Sequence, residues 1–267
     1  MPVFQASDCK IHYEDEGTGP PILLIHGLWL SGRFFHKQIA ALTRSHRTIV
    51  PDLRGHGRSE KVDRGHTVPQ QARDLKALVE HLELKDIVLV GWSSGAFCIW
   101  DWVDQFGTGG LAGTVVIDES PTDFRWPDWS LGEHTMASLV ALMRAVQTDF
   151  EGLVRSRFVP SLFRSPPTGS ELAWMVEEVL AVPPAIASAV AFDELTRDYR
   201  SVLARVDVPT LVCFGAHDRA LSPENGHYLA RALPRARLSL FEQSGHAPFY
   251  EEATLFNSEI ETFFQSL

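Results

Sequence analysis

Gly91-Trp92-Ser93-Ser94-Gly95 spells G-x-S-x-G directly after the apolar run Ile87 to Val90 and ahead of a stretch with helical spacing. A strand that turns sharply into a helix lifts such a serine hydroxyl above a sheet, and the flanking glycines remove side chains that would collide in the turn. The plainer alternative is a serine that only caps the helix. As a nucleophile, Ser93 needs a base to take its proton. Of the 11 histidines, His246 in Ser244-Gly245-His246-Ala247-Pro248 is the best placed, in a loop just past the last apolar run. A carboxylate must orient that imidazole. Asp218, in Gly215-Ala216-His217-Asp218 after another apolar run, is favoured; Asp118, which ends the run Gly113 to Asp118, is the alternative acid. An oxyanion hole needs two converging amides. Ser94, after the nucleophile, and Leu28, in His26-Gly27-Leu28-Trp29, are the candidates. The chemistry such a set performs is acyl transfer through a serine. No metal-ligand spacing, strand-borne GxGxxG or Gly-x4-Gly-Lys loop occurs, so no metal and no cofactor are expected.

These residues need a scaffold, and the chain supplies one. Six short apolar runs read as strands: Pro21 to Gly27, Arg47 to Leu53, Asp86 to Trp92, Gly113 to Asp118, Pro209 to Gly215 and Ala236 to Glu242. They do not alternate apolar with polar, which is the pattern of strands covered on both faces. Between them lie helical stretches: Phe34 to Leu42, a stripe through Ala72, Leu75, Leu78, Val79 and Leu82, Ser94 to Phe106, and Ala253 to Leu267. Strand alternating with helix predicts an α/β protein with a mostly parallel, doubly wound sheet. The rhythm breaks over 121–197, which is rich in tryptophan and Pro-Pro pairs and holds no good strand. This stretch is expected to be a helical cap, with 1–120 and 198–267 forming the core.

Composition narrows the function classes. The chain has 267 residues, 45% hydrophobic and 22% charged, with a net charge of −10 and no Lys/Arg cluster. That excludes disorder and argues against a nucleic-acid surface. Cys9, Cys98 and Cys213 are too few and too far apart for a disulfide framework, and they fit a reducing, cytoplasmic setting. The opening residues MPVFQASD do not read as a signal peptide, and no run approaches ~18 apolar residues, so no membrane partner is expected. Oligomeric state is not readable. Trp29 on the oxyanion loop, Trp92 beside the nucleophile, Trp126 at the start of the cap and Phe249 after His246 are the candidate substrate contacts. They suit a small hydrophobic ligand with an aromatic or alkyl part.

Taken in order, strand-His26-Gly27, the loop Arg54-Gly55-His56-Gly57-Arg58-Ser59, Gly91-x-Ser93-x-Gly95, Gly215-x-x-Asp218 and Gly245-His246 resemble the α/β-hydrolase fold superfamily. The likeness is to its small bacterial branch of esterases, lactonases and cofactor-free haloperoxidase-like enzymes. The resemblance covers the chain except the cap. It implies an eight-stranded sheet, a cap inserted after strand 6 and the order Ser93, Asp218, His246 for the triad. Serine at the elbow departs from the dehalogenases and epoxide hydrolases of the superfamily, which carry Asp there. The first functional reading is therefore an ester or lactone hydrolase. The resemblance also admits a second: cofactor-independent dioxygenases that open 3-hydroxy-4-quinolone rings, of the alkylquinolone signal type. There His246 would be a general base, with Asp118 or Asp218 as its partner. This chain departs from that branch in carrying Leu28-Trp29-Leu30-Ser31 on the loop and Asp218 in addition to Asp118. A third reading, a non-catalytic binder on the same scaffold, gives no reason for three matched catalytic groups.

Overall fold

The structure, a computed structural model, describes residues 2–267. Eight strands form one sheet: β1 (Val3–Ala6), β2 (Cys9–Glu16), β3 (Pro21–Ile25), β4 (Arg47–Pro51), β5 (Ile87–Trp92), β6 (Leu111–Ile117), β7 (Thr210–Gly215) and β8 (Ala236–Phe241), in the order β1-β2-β4-β3-β5-β6-β7-β8. From β4 to β8 all neighbours are parallel, while β1–β2 and β2–β4 are antiparallel. The six strands expected from the apolar runs are present. The remaining two, β1 and β2, form an N-terminal hairpin whose longer strand, Cys-Lys-Ile-His-Tyr-Glu-Asp-Glu, is too polar to stand out as an apolar run.

The continuous apolar runs have the expected cause. Ile22, Leu24, Val88 and Val90 point into one core layer, and Leu23, Ile25, Ile87 and Leu89 into the other. Side chains alternate across a strand, so a sheet packed on both faces must be apolar at every position. One face is covered by α1 (His36–Leu42) and, at the far end of the chain, by α9 (Pro248–Glu251) and α10 (Ala253–Phe264). On the other lie α2 (Val68–His81) and α3 (Ser94–Phe106). Another core helix, α8 (Glu224–Ala232), joins β7 to β8.

Between β6 and β7 the chain makes helices and a single isolated bridge, Phe124 to His134. The helices are α4 (Met136–Leu153), α5 (Val159–Ser161), α6 (Gly169–Leu180) and α7 (Pro184–Leu195). A capping box at Thr135 and Ser138 starts α4. Its last turns are irregular: Asp149 leaves helical geometry and a π turn follows over Val154–Phe158. Leu139, Val146, Phe150, Val179 and Val190 from this insertion join the same apolar cluster as Trp29, Phe34 and Trp92 of the core. No single helix among the described residues is long and apolar enough to cross a membrane.

Candidate active site

The elbow is built by exclusion of side chains. A Cβ on Gly91 would lie 2.5 Å from the Gly95 carbonyl carbon, and one on Gly95 would lie 2.3 Å from the Ile25 carbonyl oxygen. Only glycines let β5 turn back this tightly onto α3. Ser93 pays in backbone strain, with φ 51° and ψ −126°. Its amide donates to the Ile117 carbonyl at 2.9 Å, and its carbonyl accepts from the Ala96 amide at 2.7 Å. It occupies the N-cap position of α3, yet its hydroxyl makes no capping bond. The capping alternative therefore fails, and the Ser93 side chain faces a cavity of about 340 Å³.

His246 opens onto the same cavity. Its Nδ1 lies 2.8 Å from Asp218 Oδ2, and both side chains are almost wholly buried. The other oxygen of Asp218 accepts from the amides of Ala220 at 2.7 Å and Leu221 at 3.3 Å. Of the two acids weighed from sequence, Asp218 holds the imidazole. The loop carrying His246 is anchored as well: Trp92 Nε1 donates to the His246 carbonyl at 2.7 Å, and the Gly245 amide donates to Glu251 at 2.7 Å.

The loop after β3 lies against the elbow. A Cβ on Gly27 would sit 3.1 Å from the Ser93 Cβ. His26 fixes this loop: its Nδ1 donates to the Gly27 carbonyl and its Nε2 accepts from the Leu53 amide, each at 2.9 Å. Complete burial disfavours the imidazolium and lowers the His26 pKa, consistent with a ring that must accept at Nε2. Leu28 and Trp29 follow, both lining the cavity. Trp29 adopts φ 60° and donates from Nε1 to the Ala187 carbonyl of α7 at 2.9 Å, tying loop to insertion. Ser94, the other residue chosen for the oxyanion hole, is buried at the head of α3. The Arg54–Ser59 loop is scaffolding. Arg54 bridges Asp8 and Asp74, and Asp52 accepts from the amides of Gly32 and Arg58, each at 2.8 Å.

Of the four aromatic residues expected at the substrate, only Trp29 lines the cavity. Trp92 and Phe249 are fully buried beneath His246 and meet edge to face, ring centroids 4.6 Å apart. Trp126 packs on Phe124 and donates to the Thr122 hydroxyl at 3.0 Å. The apolar part of the cavity wall is mainly aliphatic, with Leu28, Leu30, Leu142, Leu153, Leu162, Leu195 and Leu221, and polar groups including Glu133, His134, Arg157 and Arg219 share the lining.

Sequence reasoning missed three acids. Asp123 and Glu194 line the cavity, and Glu119 stands behind them; their carboxylates lie within 4.8 Å of one another. Burial raises the pKa of all three, and Asp123 raises the other two further by like-charge repulsion. The Ser120 amide and hydroxyl hold Glu119 and Asp123 at 2.6 and 2.9 Å. The available signals were the acid-rich segment Asp118 to Asp123 after β6, and a glutamate in the largely apolar α7. This cluster has the spacing of a metal-ligand set, as do Asp118, Asp218 and His246, though the second group is already joined by its own hydrogen bond.

Comparison with known proteins agrees with this architecture. A family model described as alpha/beta hydrolase fold matches residues 20–253. A non-heme haloperoxidase of Rhodococcus erythropolis is 31% identical over the whole of both chains. Among solved structures, a bromoperoxidase from Bacillus anthracis superposes with a TM-score of 0.92 at 27% identity, covering 96% of each chain. An esterase from Rhodococcus sp. ECU1013 gives 0.84 at 26% identity, covering 99% of this chain and 98% of its own. With the sheet order, the elbow and these matches in agreement, the chain belongs to the α/β-hydrolase fold family.

Proposed function

We propose that the protein is a serine hydrolase that cleaves an ester or lactone bond in a small hydrophobic substrate. The observation that carries this reading is the 2.8 Å bond from His246 to Asp218, made by an imidazole that shares its cavity with Ser93. Asp218 accepts a hydrogen bond from Nδ1–H, which keeps the proton on Nδ1 and leaves Nε2 with a lone pair for the Ser93 hydroxyl. Ser93 Oγ attacks the carbonyl carbon while His246 takes its proton. The carbonyl oxygen becomes an oxyanion, held by the amides of Leu28 and Ser94. As the tetrahedral intermediate collapses, His246 returns the proton to the departing alkoxide, leaving an acyl-serine. Water then repeats the sequence, giving up a proton to His246, and the acid departs as Ser93 is reprotonated.

Residues 121–197 act as the cap that encloses the reacting centre, with Trp29 as the link between cap and core. The leucines of the wall suit alkyl or aryl groups flanking the ester. The esterase relative supports hydrolysis. For the ring-cleaving alternative, the partner of His246 would be Asp218 and not Asp118, the acid whose position suggested that branch. The test is Ser93→Ala on an aryl ester. Turnover should fall by at least about 10³-fold, and a fluorophosphonate should label the wild type at Ser93 and leave the variant unlabelled. A variant that retains turnover, or oxygen uptake by the wild type on a 3-hydroxy-4-quinolone without ester cleavage, would overturn this assignment.

A further inference from the structure

Asp118 is a buried acid that the proposed reaction does not use. It is fully buried and holds a left-handed backbone, φ 43°, at the carboxyl end of β6. Its amide donates to the Cys213 carbonyl at 2.9 Å, and its Oδ1 accepts from the Gly215 amide at 2.8 Å. Its Oδ2 has no donor from an amide, hydroxyl or ring nitrogen. What lies beside it is the other acid: the carboxylates of Asp118 and Asp218 and a ring nitrogen of His246 are all within 4.8 Å of one another.

Two ionised carboxylates this close, buried with no Lys or Arg between them, repel strongly, and one proton shared between them removes the repulsion. The donors decide where it rests. Asp218 is held as an anion by His246 Nδ1 and by two amides, whereas Asp118 has one amide. Among the described residues, no Lys or Arg is among the main groups acting on Asp118. The Cys213 thiol approaches from β7 and Glu251 acts from α9, and among the described residues His246 is the base grouped with the two carboxylates. Burial and the charge of Asp218 both push the Asp118 carboxyl well above the usual carboxylate range.

We propose that Asp118 is carried as a neutral acid that donates its proton in a hydrogen bond to Asp218, a positioning residue that governs how firmly Asp218 holds His246. This rests on the serine-hydrolase reading only for its kinetic readout. The donated bond draws charge from Asp218 and weakens its grip on the imidazolium. Loss of the donor should make His246 more basic.

The test compares Asp118→Gly with Asp118→Asn. Glycine accepts the positive φ and removes the donor. Asparagine also tolerates that backbone, keeps an oxygen for the Gly215 amide and presents an N–H to Asp218. The acid limb of kcat/KM on an aryl ester should move up by at least about 0.5 pH unit in Asp118→Gly, and stay at the wild-type position in Asp118→Asn. The same pattern should appear in the His246 imidazole resonance of the resting protein, assigned by its loss in His246→Gln. That measurement stands even if ester hydrolysis is not the reaction. An ionised Asp118 would instead give a downward shift in both variants, and a purely structural residue would lower turnover with no shift in either; both results overturn the proposal. If Asp118→Gly does not fold, Asp118→Ala takes its place as the variant without a donor: an upward shift of the limb supports the proposal, and an unmoved or lowered limb overturns it.

Discussion

Asp218→Asn isolates the orienting carboxylate with little disturbance of the fold. Asp218 Oδ1 accepts from two amides, Ala220 and Leu221, so asparagine must keep its carbonyl oxygen there; the reverse orientation would point an NH₂ at two N–H groups. The new Nδ2 therefore faces His246 Nδ1 across the 2.8 Å gap and donates into it. That forces the ring into the tautomer with its proton on Nε2, where Ser93 needs a lone pair. The imidazolium formed on attack also loses its counter-charge. Both effects fall on the transition state, and their usual sum in a Ser-His-Asp system is about 10⁴ in kcat, equivalent to about 5.4 kcal/mol of barrier. The hydrogen-bond count is unchanged, so unfolding by urea should differ from wild type by no more than about 1 kcal/mol. Steady-state hydrolysis of an aryl acetate, paired with the urea midpoint, measures the two separately. A rate loss below about tenfold in a stable variant would refute the assignment of Asp218, and would point to Asp118, the other acid within reach of the ring.

Two further outcomes follow from packing and burial. Gly95→Ala should destabilise the protein by about 1–3 kcal/mol in chemical denaturation, because the new methyl meets the Ile25 backbone oxygen, which cannot step aside as a side chain can. Glu194→Gln should change the pH dependence of stability. Burial and Asp123 raise the Glu194 pKa in the fold above its ordinary 4.5, so its contribution to stability is complete below pH 4.5 and is lost as pH rises toward the folded value. Relative to the glutamine variant, the wild type should weaken above pH 4.5 by up to about 1.4 kcal/mol per pH unit, read from urea midpoints between pH 4 and 8; parallel curves would show that Glu194 is ionised in the fold.

The sequence exposes what local physics demands at one place in the chain. A central strand must be apolar on both faces, so β3 to β7 announce themselves, while β2, antiparallel and near the sheet edge, carries Lys10, Glu14, Asp15 and Glu16 and does not. Gly91 and Gly95 are legible because the elbow excludes any Cβ there. What stays hidden depends on segments distant in sequence coming together. The β6–β7 register, Ile117 opposite Cys213, brings Asp118 level with the amide of Gly215 and so beside Asp218. Neither acid records that in its own neighbourhood. Glu194 reaches Asp123 only because α7 returns over the end of β6.

Trp92 misses the cavity for a different reason, since the necessary clue was present. Side chains along a strand alternate, so Trp92 shares a face with Val88 and Val90. Those two valines belong to the layer that packs against Phe34, Phe35 and α10, below the rim where Ser93 turns upward. Adjacency to the nucleophile in sequence therefore places Trp92 on the core side of the elbow. There its ring supports Phe249, and its N–H holds the His246 carbonyl. Trp29 comes after its strand has ended and is freed from that alternation by a left-handed backbone, and it reaches the cavity. At a strand-to-loop junction, parity with the strand's own core residues is the better guide to substrate contact than closeness to the reacting serine.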